Sequence, residues 1–390
     1  MKNKICVVTG SRAEYGLFFP LLKKLAVDKS IELQIVVTGM HLSKDFGYTY
    51  REIINDGFKI NKKVKMPLSS DSELAITKSV GSGVIGFAEA FNQLKPELVL
   101  LLGDRFEAYS SAIAAFLARL PIAHLYGGEL TEGLIDDAIR HSITKMSLLH
   151  FVSTEKYRQR VIQLGEAPNK VFLVGALGID NIKRTRFIPK VQLENELKFK
   201  LGNRTAIVTF HPVTLKDRAS TKRQFKELLG ALVRFKDLKV IFTKPNADMN
   251  GKVISRMIDS YVKTHPSNTV AFTSMGRVAY LSALKYVDVM IGNSSSGIIE
   301  FPSFGKPTID IGERQQGRVR AASVISCAPK EEEVVRALEK SFSRDFRKLC
   351  RNVKNPYGKG DAANRIMKIL KQELNKKLEV QKAFYDLIIP

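Results

Sequence analysis

The sequence contains no tryptophan, only three cysteines, and far fewer acidic residues than basic ones, 39 against 62. Cys6, Cys327 and Cys350 are odd in number and form no CxxC pair. Neither a disulfide framework nor a thiolate zinc site is expected. Cys6 lies in the apolar run Ile5–Val8, where a cysteine behaves as a small buried hydrophobe. No apolar stretch reaches the roughly 18 residues of a membrane-spanning helix. The best candidate is interrupted by Asp104, Arg105 and Glu107. At the N-terminus Ser11, Arg12 and Glu14 follow the short run Ile5–Val8, so no secretory signal is read there. A reducing cytoplasm is the expected location. Aromatics do not alternate with Lys and Arg, which removes the stacking surface that single-stranded nucleic acid needs. There is no H-E-x-x-H and no EF-hand loop, so no metal site is signalled, though the motifs alone leave a divalent ion open. Without G-x-G-x-x-G or a Walker A lysine, neither a dinucleotide cofactor nor ATP hydrolysis is signalled.

What is present is the composition of a globular soluble protein that attracts anions. Hydrophobic residues make up 44% of the chain and charged residues 26%, a globular balance, and 390 residues suit two domains. The net charge of +23 is scattered rather than striped, with its densest run at Lys371, Lys376, Lys377 and Lys382. Such a surplus attracts anions: a nucleic acid, an acidic membrane surface or a small polyanionic substrate, or else it is only a solvated surface.

Short apolar runs alternate with amphipathic ones. Strands are expected at Ile5–Val8, Leu33–Val37, Leu98–Leu102, Ile122–Leu125, Leu149–Val152 and Val171–Val174. Helices are expected at Glu14–Ala26, Ser43–Asn55, Ser72–Leu94, Arg105–Ala118 and Asp136–Met146. Strands rich in Val, Ile and Leu, apolar on both faces, belong in a parallel sheet covered by helices. A polar stretch from Lys183 to Lys200 breaks the rhythm, which restarts at Ala206–Phe210 and runs to Thr308–Ile311. The expectation is an α/β protein of two doubly wound Rossmann-like domains facing a cleft. Their bounds are read as 1–182 and 183–365, with a C-terminal helical segment from Asp361 to about Phe384 closing the chain. In such sheets ligands bind beyond the carboxyl ends of the strands, so the strand ends are the place to look for chemistry.

The first strand ends in Thr9-Gly10-Ser11-Arg12, a turn into a helix whose N-terminus, with Arg12, can hold an anion. Gly103-Asp104-Arg105 follows the strand at 98–102. His124-Leu125-Tyr126-Gly127-Gly128-Glu129 follows the next, and Asp136, Asp137, Arg140 and His141 come after it. Asp104, Glu129 and Asp136 stand where carboxylates can converge and divide acid and base roles. For Asp136 and Asp137 helix capping is the plainer reading, and Arg140 and His141 can pair with acids structurally. In the second half His211-Pro212 ends a strand. The loop Gly292-Asn293-Ser294-Ser295-Ser296-Gly297 offers small residues and hydroxyls to a phosphate, or else simply caps a helix. Glu300, read one turn into that helix, can accept from ribose hydroxyls or merely complement the helix dipole.

In this order these motifs resemble the hydrolysing UDP-N-acetylglucosamine 2-epimerases of nonulosonic-acid pathways, over nearly the whole chain. Thr38-Gly39-Met40-His41, Asp136–Lys145, Phe210-His211-Pro212 and Gly312-Glu313-Arg314-Gln315-Gln316-Gly317-Arg318 carry the resemblance as well. It implies a GT-B-like fold with the C-terminal helix, about 366–390, packing back across. It also implies a metal-free reaction: elimination of UDP from a UDP-sugar, then hydration of the glycal to a free 2-epimerised sugar such as N-acetylmannosamine. By the resemblance, Asp104, Glu129, Asp136 and His211 are catalytic. Arg12, Ser294, Ser295, Ser296, Gly297, Glu300, Arg314 and Arg318 bind UDP, and a homo-oligomer, dimer or tetramer, is expected. Some members carry a glutamate immediately before the Gly-Gly pair. Tyr126 stands there in this sequence, so Glu129 takes over that role or Tyr126 joins as an acid. The difference admits another sugar, a UDP- or GDP-linked 2,4-diacetamido-trideoxy sugar. A non-hydrolysing epimerase and a GT-B glycosyltransferase share much of the pattern.

Overall fold

The structure is a computed structural model that describes residues 2–67, 72–131, 135–212, 218–245, 251–376 and 378–387. Val213 and Thr214, which follow His211-Pro212, and Lys377 lie outside the described residues. The chain divides into two compact units. The first comprises Met1–Glu129, Asp136–Asn181 and Tyr357–Pro390, and the second Leu130–Ile135 and Ile182–Pro356.

In the first unit the strands are β1 (Asn3–Thr9), β2 (Ile31–Thr38), β3 (Lys62–Val64), β4 (Leu98–Leu102), β5 (Ile122–Leu125), β6 (Leu149–Val152) and β7 (Val171–Leu173). Between them run α1 (Arg12–Val27), α2 (Tyr50–Asn55), α3 (Glu73–Leu94), α4 (Phe106–Leu117), α5 (Ile135–Met146) and α6 (Glu155–Gln163). α7 (Leu177–Arg184) leads out. The strands form one parallel sheet in the order β3-β2-β1-β4-β5-β6-β7. The order reverses between β1 and β4, which is the crevice where open α/β sheets bind ligands.

Why this sheet forms is plain from β1. Ile5, Cys6, Val7 and Val8 are all buried, as a strand covered on both faces requires. Cys6 and Val8 pack with Phe87, Phe91, Ala112 and Ala115 of α3 and α4. α1 starts with a capping box: the Ser11 hydroxyl accepts from Glu14 N–H, while the Glu14 carboxylate accepts from Ser11 N–H. Pro20 inside α1 has no N–H for the Gly16 carbonyl, and the Asn181 side-chain amide donates to that carbonyl instead, at 2.6 Å.

The second unit begins with α8 (Lys190–Leu197), β8 (Arg204–Thr209), α9 (Arg218–Val233), β9 (Leu238–Thr243), α10 (Gly251–Thr264), β10 (Thr269–Phe272) and α11 (Arg277–Tyr286). It continues with β11 (Val289–Gly292), α12 (Ser295–Ile299), β12 (Thr308–Ile311), β13 (Val324–Cys327), α13 (Glu331–Phe342) and α14 (Arg344–Arg351). Its parallel sheet runs β10-β9-β8-β11-β12-β13, with the switch between β8 and β11. The period of two sorts its core. Ala206, Val208 and Phe210 face Phe225, Leu228, Val334 and Leu338. Ile207 faces Leu193, Leu281 and Leu284 on the other side.

α15 (Ala362–Leu374) belongs to the first unit. Its first N–H groups, of Ala362 and Ala363, donate to the buried carboxylate of Asp180 at 2.9 and 3.0 Å. The helix ends at Leu374, short of the expected Phe384. Beyond it residues 378–387 run without helix: Lys382 donates to the Ser147 carbonyl and to Glu166, and Tyr385 N–H donates to the Gly165 carbonyl. The helix expected over Ser43–Asn55 is likewise a single 3-10 turn, Lys44–Phe46, followed by the short α2, because Gly47 and Tyr48 between them adopt positive φ of 78° and 51°.

Candidate active site

In the first unit the strand ends gather ionisable groups that sequence spacing alone does not connect. Glu14 Oε2 accepts from Gly10 N–H at 2.7 Å and from Ser11 N–H at 3.0 Å. The backbone donors that an anion would meet at the start of α1 are therefore already engaged by the chain's own carboxylate. Burial, and then the neighbouring charge of Glu107, push Glu14 up to about 7, against the pull of Arg105 and the two N–H groups. Glu107 is itself buried and ion-paired with Arg105 at 3.1 Å. It leaves no space for a side chain at Gly10, where an added Cβ would stand 2.9 Å from Glu107 Cβ. The buried ring of His41 lies between Thr9 Oγ1 and Thr49 Oγ1, at 3.1 and 2.8 Å, and burial lowers it to about 4. Arg12 stands half-buried in the first turn of α1.

Asp104 follows Gly103, which takes φ 78° at the end of β4. Its carboxylate is ion-paired with the buried guanidinium of Arg140 on α5. Asp136 lies four residues before Arg140 in the same helix, hence on the same face. Asp136 and Asp137 stand inside the first turn of α5 rather than at its cap. Asp137 is 3.6 Å from His141 Nε2, the structural pairing that the i,i+4 spacing allows. Glu129 is buried and its Oε1 accepts from the Ser153 hydroxyl at 2.9 Å. Between these groups Tyr126 takes φ 66°, unusual for a non-glycine residue, and Gly128 takes φ 77°, where an added Cβ would stand 2.5 Å from the Tyr157 carbonyl oxygen. The structure thus joins Asp104 to the helix that carries Asp136 and ties Glu129 to the end of β6.

In the second unit Asn293 is the organising residue. Its side-chain oxygen accepts from His211 N–H at 2.7 Å and its side-chain amide donates to the His211 carbonyl at 2.8 Å. One amide thereby continues the ladder of β8 and β11 past the last strand residue. The Asn293 carbonyl in turn accepts from Arg314 Nη1 at 3.0 Å and from the Gln315 amide at 2.8 Å. His211, Arg314 and the serine loop are consequently fixed to one another. Ser294 caps α12, and the Ser296 hydroxyl accepts from Tyr280. Gly297 is buried, and an added Cβ there would stand 2.8 Å from Thr308 Cγ2. Glu300 stands past the C-terminal end of α12, not one turn into it. The helix dipole disfavours a carboxylate there, so it does not account for Glu300. Arg318 Nε donates to the Leu130 carbonyl at 2.9 Å. Nearby, burial raises Asp310 above the ordinary carboxylate range, against the pull of its partner Arg320.

Sequence reading did not single out Glu14, Glu107, His124, Ser153 and Asn293 as parts of these clusters. The signal for Asn293 was its position between a strand-ending glycine and a serine cap. For the others the signal was an ionisable or polar residue inside or just after an apolar run. Among the described residues no three His, Cys, Asp or Glu side chains are grouped to hold a metal. No described helix is long and apolar enough to cross a membrane.

Two parallel sheets with helices on both faces, each carrying polar clusters at its switch point, define a GT-B-like α/β protein. The chain matches the UDP-N-acetylglucosamine 2-epimerase family over residues 23–371, and it belongs to that family. It is an enzyme of that type. It is 42% identical over 386 residues to the hydrolysing GDP/UDP-N,N'-diacetylbacillosamine 2-epimerase of Campylobacter jejuni, covering 99% of this chain and 100% of the relative. It is 40% identical to the polysialic acid biosynthesis protein P7 of Escherichia coli, covering 99% and 98%. With the hydrolysing UDP-N,N'-diacetylbacillosamine 2-epimerase of Legionella pneumophila it shares 36% identity, over 95% and 96%. Among solved structures, the Neisseria meningitidis UDP-GlcNAc 2-epimerase bound to UDP-GlcNAc superposes with a TM-score of 0.79. The two are 18% identical, over 95% of this chain and 100% of that one, a likeness that shows the fold.

Proposed function

We propose that this enzyme is a hydrolysing 2-epimerase whose substrate is UDP-N,N'-diacetylbacillosamine, the UDP-linked 2,4-diacetamido-2,4,6-trideoxyglucose. It releases UDP and the free 2-epimerised sugar. The observation that carries the reading is full-length similarity, at 42% and 36% identity, to two relatives named as hydrolysing epimerases of this sugar. Tyr126 at the position where some family members place a glutamate accords with a sugar other than GlcNAc. UDP-GlcNAc is the second reading, favoured by the name of the family to which the chain belongs and by 29% identity to the UDP-N-acetylglucosamine 2-epimerase of Neisseria meningitidis.

The reaction divides into two steps. A carboxylate takes the C2 proton, the C1–O bond to UDP breaks, and a C1=C2 double bond forms. Water then adds its oxygen to C1 while a proton is delivered to C2 from the opposite face. The C2 proton is weakly acidic, so stabilisation of the leaving diphosphate carries much of the barrier. We assign that task to Arg12, Ser294, Ser295, Ser296, Gly297, Arg314 and Arg318, with Glu300 accepting from the ribose. Arg314 suits the role because its guanidinium is anchored at one nitrogen by the Asn293 carbonyl. Asp104, Glu129 and Asp136 are the proton-transfer groups, with His211 assisting. Asp104, in its ion pair with Arg140, stands as a carboxylate, the form a base requires. Glu129 Oε1 accepts from the Ser153 hydroxyl, which positions this buried carboxylate at the end of β6.

The test is a substrate panel. The purified enzyme is given UDP-N,N'-diacetylbacillosamine, its GDP analogue and UDP-GlcNAc, and nucleotide release is followed in each. Preference for the diacetamido sugar by at least an order of magnitude in kcat/KM is expected. Equal or better turnover of UDP-GlcNAc would move the assignment to the second reading.

A further inference from the structure

We propose that His124 is a positioning residue that fixes Asp104 for proton transfer, through a closed ring of hydrogen bonds joining β4, β5 and α5. The proposal rests on the reading above, in which Asp104 is a proton-transfer group.

The ring can be followed atom by atom. His124 is completely buried. Its Nε2 is 2.7 Å from the Gly103 carbonyl oxygen, and a carbonyl only accepts, so Nε2 carries the hydrogen. Nδ1 is 3.1 Å from Thr144 Oγ1. Burial holds the imidazole neutral by lowering it to about 3, and the nearby His150 and His141 act in the same sense. In a neutral ring with hydrogen on Nε2, Nδ1 is a bare acceptor, so the Thr144 hydroxyl must donate to it. The direction of both bonds is thereby fixed.

Gly103 is held from a second side, because its N–H donates to the Leu125 carbonyl at 3.0 Å. Consecutive residues of β5 thus engage both backbone polar groups of Gly103. This matters at a glycine with φ 78°, where the backbone has more freedom than at any other residue type. The next residue is Asp104, whose carboxylate is taken by Arg140. Arg140 and Thr144 are four apart in α5, on one buried face. The circuit therefore closes from Gly103 through Asp104, Arg140, one turn of α5, Thr144 and His124 back to Gly103.

A leucine or phenylalanine would fill the same volume without two polar atoms that need partners in the interior. The histidine spends both of them on the two ends of the Asp104–Arg140 pair. Enclosed and neutral, it is not itself placed to exchange protons with a substrate. It acts through Asp104.

The experiment compares H124F, which keeps the ring shape without donors, with H124Q, whose side-chain amide can still donate to the Gly103 carbonyl. H124F is expected to lower kcat by about 10- to 100-fold with KM changed less than about threefold, the signature of a reacting group displaced by a fraction of an ångström. H124Q should recover most of the rate, and its pH–rate profile should keep the parent's shape, because His124 does not titrate in the working range. In a D104N background the added H124F change should cost no further rate, since the histidine acts through that carboxylate. The proposal is overturned if H124F retains kcat within about twofold, if H124Q is no better than H124F, or if H124F and D104N losses multiply. Failure of the functional reading looks different: the parent would release no nucleotide from any sugar of the panel. Then the histidine nitrogen spectra of the ¹⁵N-labelled parent still decide. A neutral, Nε2-protonated His124 from about pH 5 to 8, perturbed in T144V, supports the clamp, and a ring that titrates across that range overturns it.

Discussion

The charge of Glu14, in the first unit, is set by what surrounds it. Burial and the charge of Glu107 raise it to about 7 while Arg105 and two backbone N–H groups resist. The folded protein therefore holds this proton more tightly than the unfolded chain does. The associated stability is full below about pH 4.5, the unfolded value, and is lost as pH rises through about 7. E14Q keeps an oxygen for the Gly10 and Ser11 N–H groups and removes the titration. The melting temperature of the parent relative to E14Q should fall between pH 5 and 8, and parallel curves would refute the assignment. Arg140 gives a second residue-level prediction. R140M removes the buried guanidinium that pairs with Asp104 and should cost about 3 kcal/mol in denaturant unfolding, in addition to lost activity. The proton-transfer assignments themselves predict that D104N, E129Q and D136N each lower kcat by about 10²- to 10⁴-fold. A variant within tenfold of the parent, measured by UDP release, would lose its place among them.

Elements are held to one another by a few contacts that can be tested singly. The ladder between β8 and β11 closes so tightly at Gly292 that an added Cβ would stand 1.9 Å from the Thr209 carbonyl oxygen, with φ at 133°. G292A should destabilise the second unit by more than about 2 kcal/mol, seen as a lower denaturant midpoint, and should weaken UDP binding because the serine loop follows directly. α15 depends on Asp180 for its N-terminus. D180N removes the charge that faces the helix dipole and one of two acceptors, and should cost about 1–3 kcal/mol. Unchanged protection of the α15 amides in hydrogen exchange would contradict this. The elements also show what the sequence made legible. Strands such as Leu98–Leu102, Ile122–Leu125 and Thr308–Ile311 could be read because a doubly covered parallel strand is an unbroken apolar run. β3, with the sequence KKV, carries no such run and owes its existence to pairing with β2. The end of α15 at Leu374 was not legible either, since the chain beyond it is fixed by Lys382 and Tyr385 finding Glu166 and Gly165, partners more than two hundred residues away in sequence. The candidate site follows the same rule. Asp104, Glu129 and His211 could be placed at strand ends from the alternation of elements, but the choice of Arg140, Ser153 and Asn293 as their partners is tertiary.

For the whole molecule, the net charge of +23 is the dominant long-range property. A cationic protein with an anionic nucleotide-sugar substrate should gain in encounter rate, so kcat/KM is expected to fall as ionic strength rises while kcat changes little. A salt-independent kcat/KM would show that the charge serves solubility alone. Family membership makes the chain a hydrolysing 2-epimerase of a UDP-sugar, and the course proposed for its reaction is loss and replacement of the C2 proton of the sugar while the nucleotide departs.

That exchange is open to direct measurement. The enzyme is incubated with UDP-N,N'-diacetylbacillosamine in D₂O and followed by proton NMR. The account predicts free sugar of inverted C2 configuration, carrying one solvent deuterium at C2, appearing together with UDP. A 2-epimer still linked to UDP, or a released sugar that keeps its original C2 proton, would contradict it.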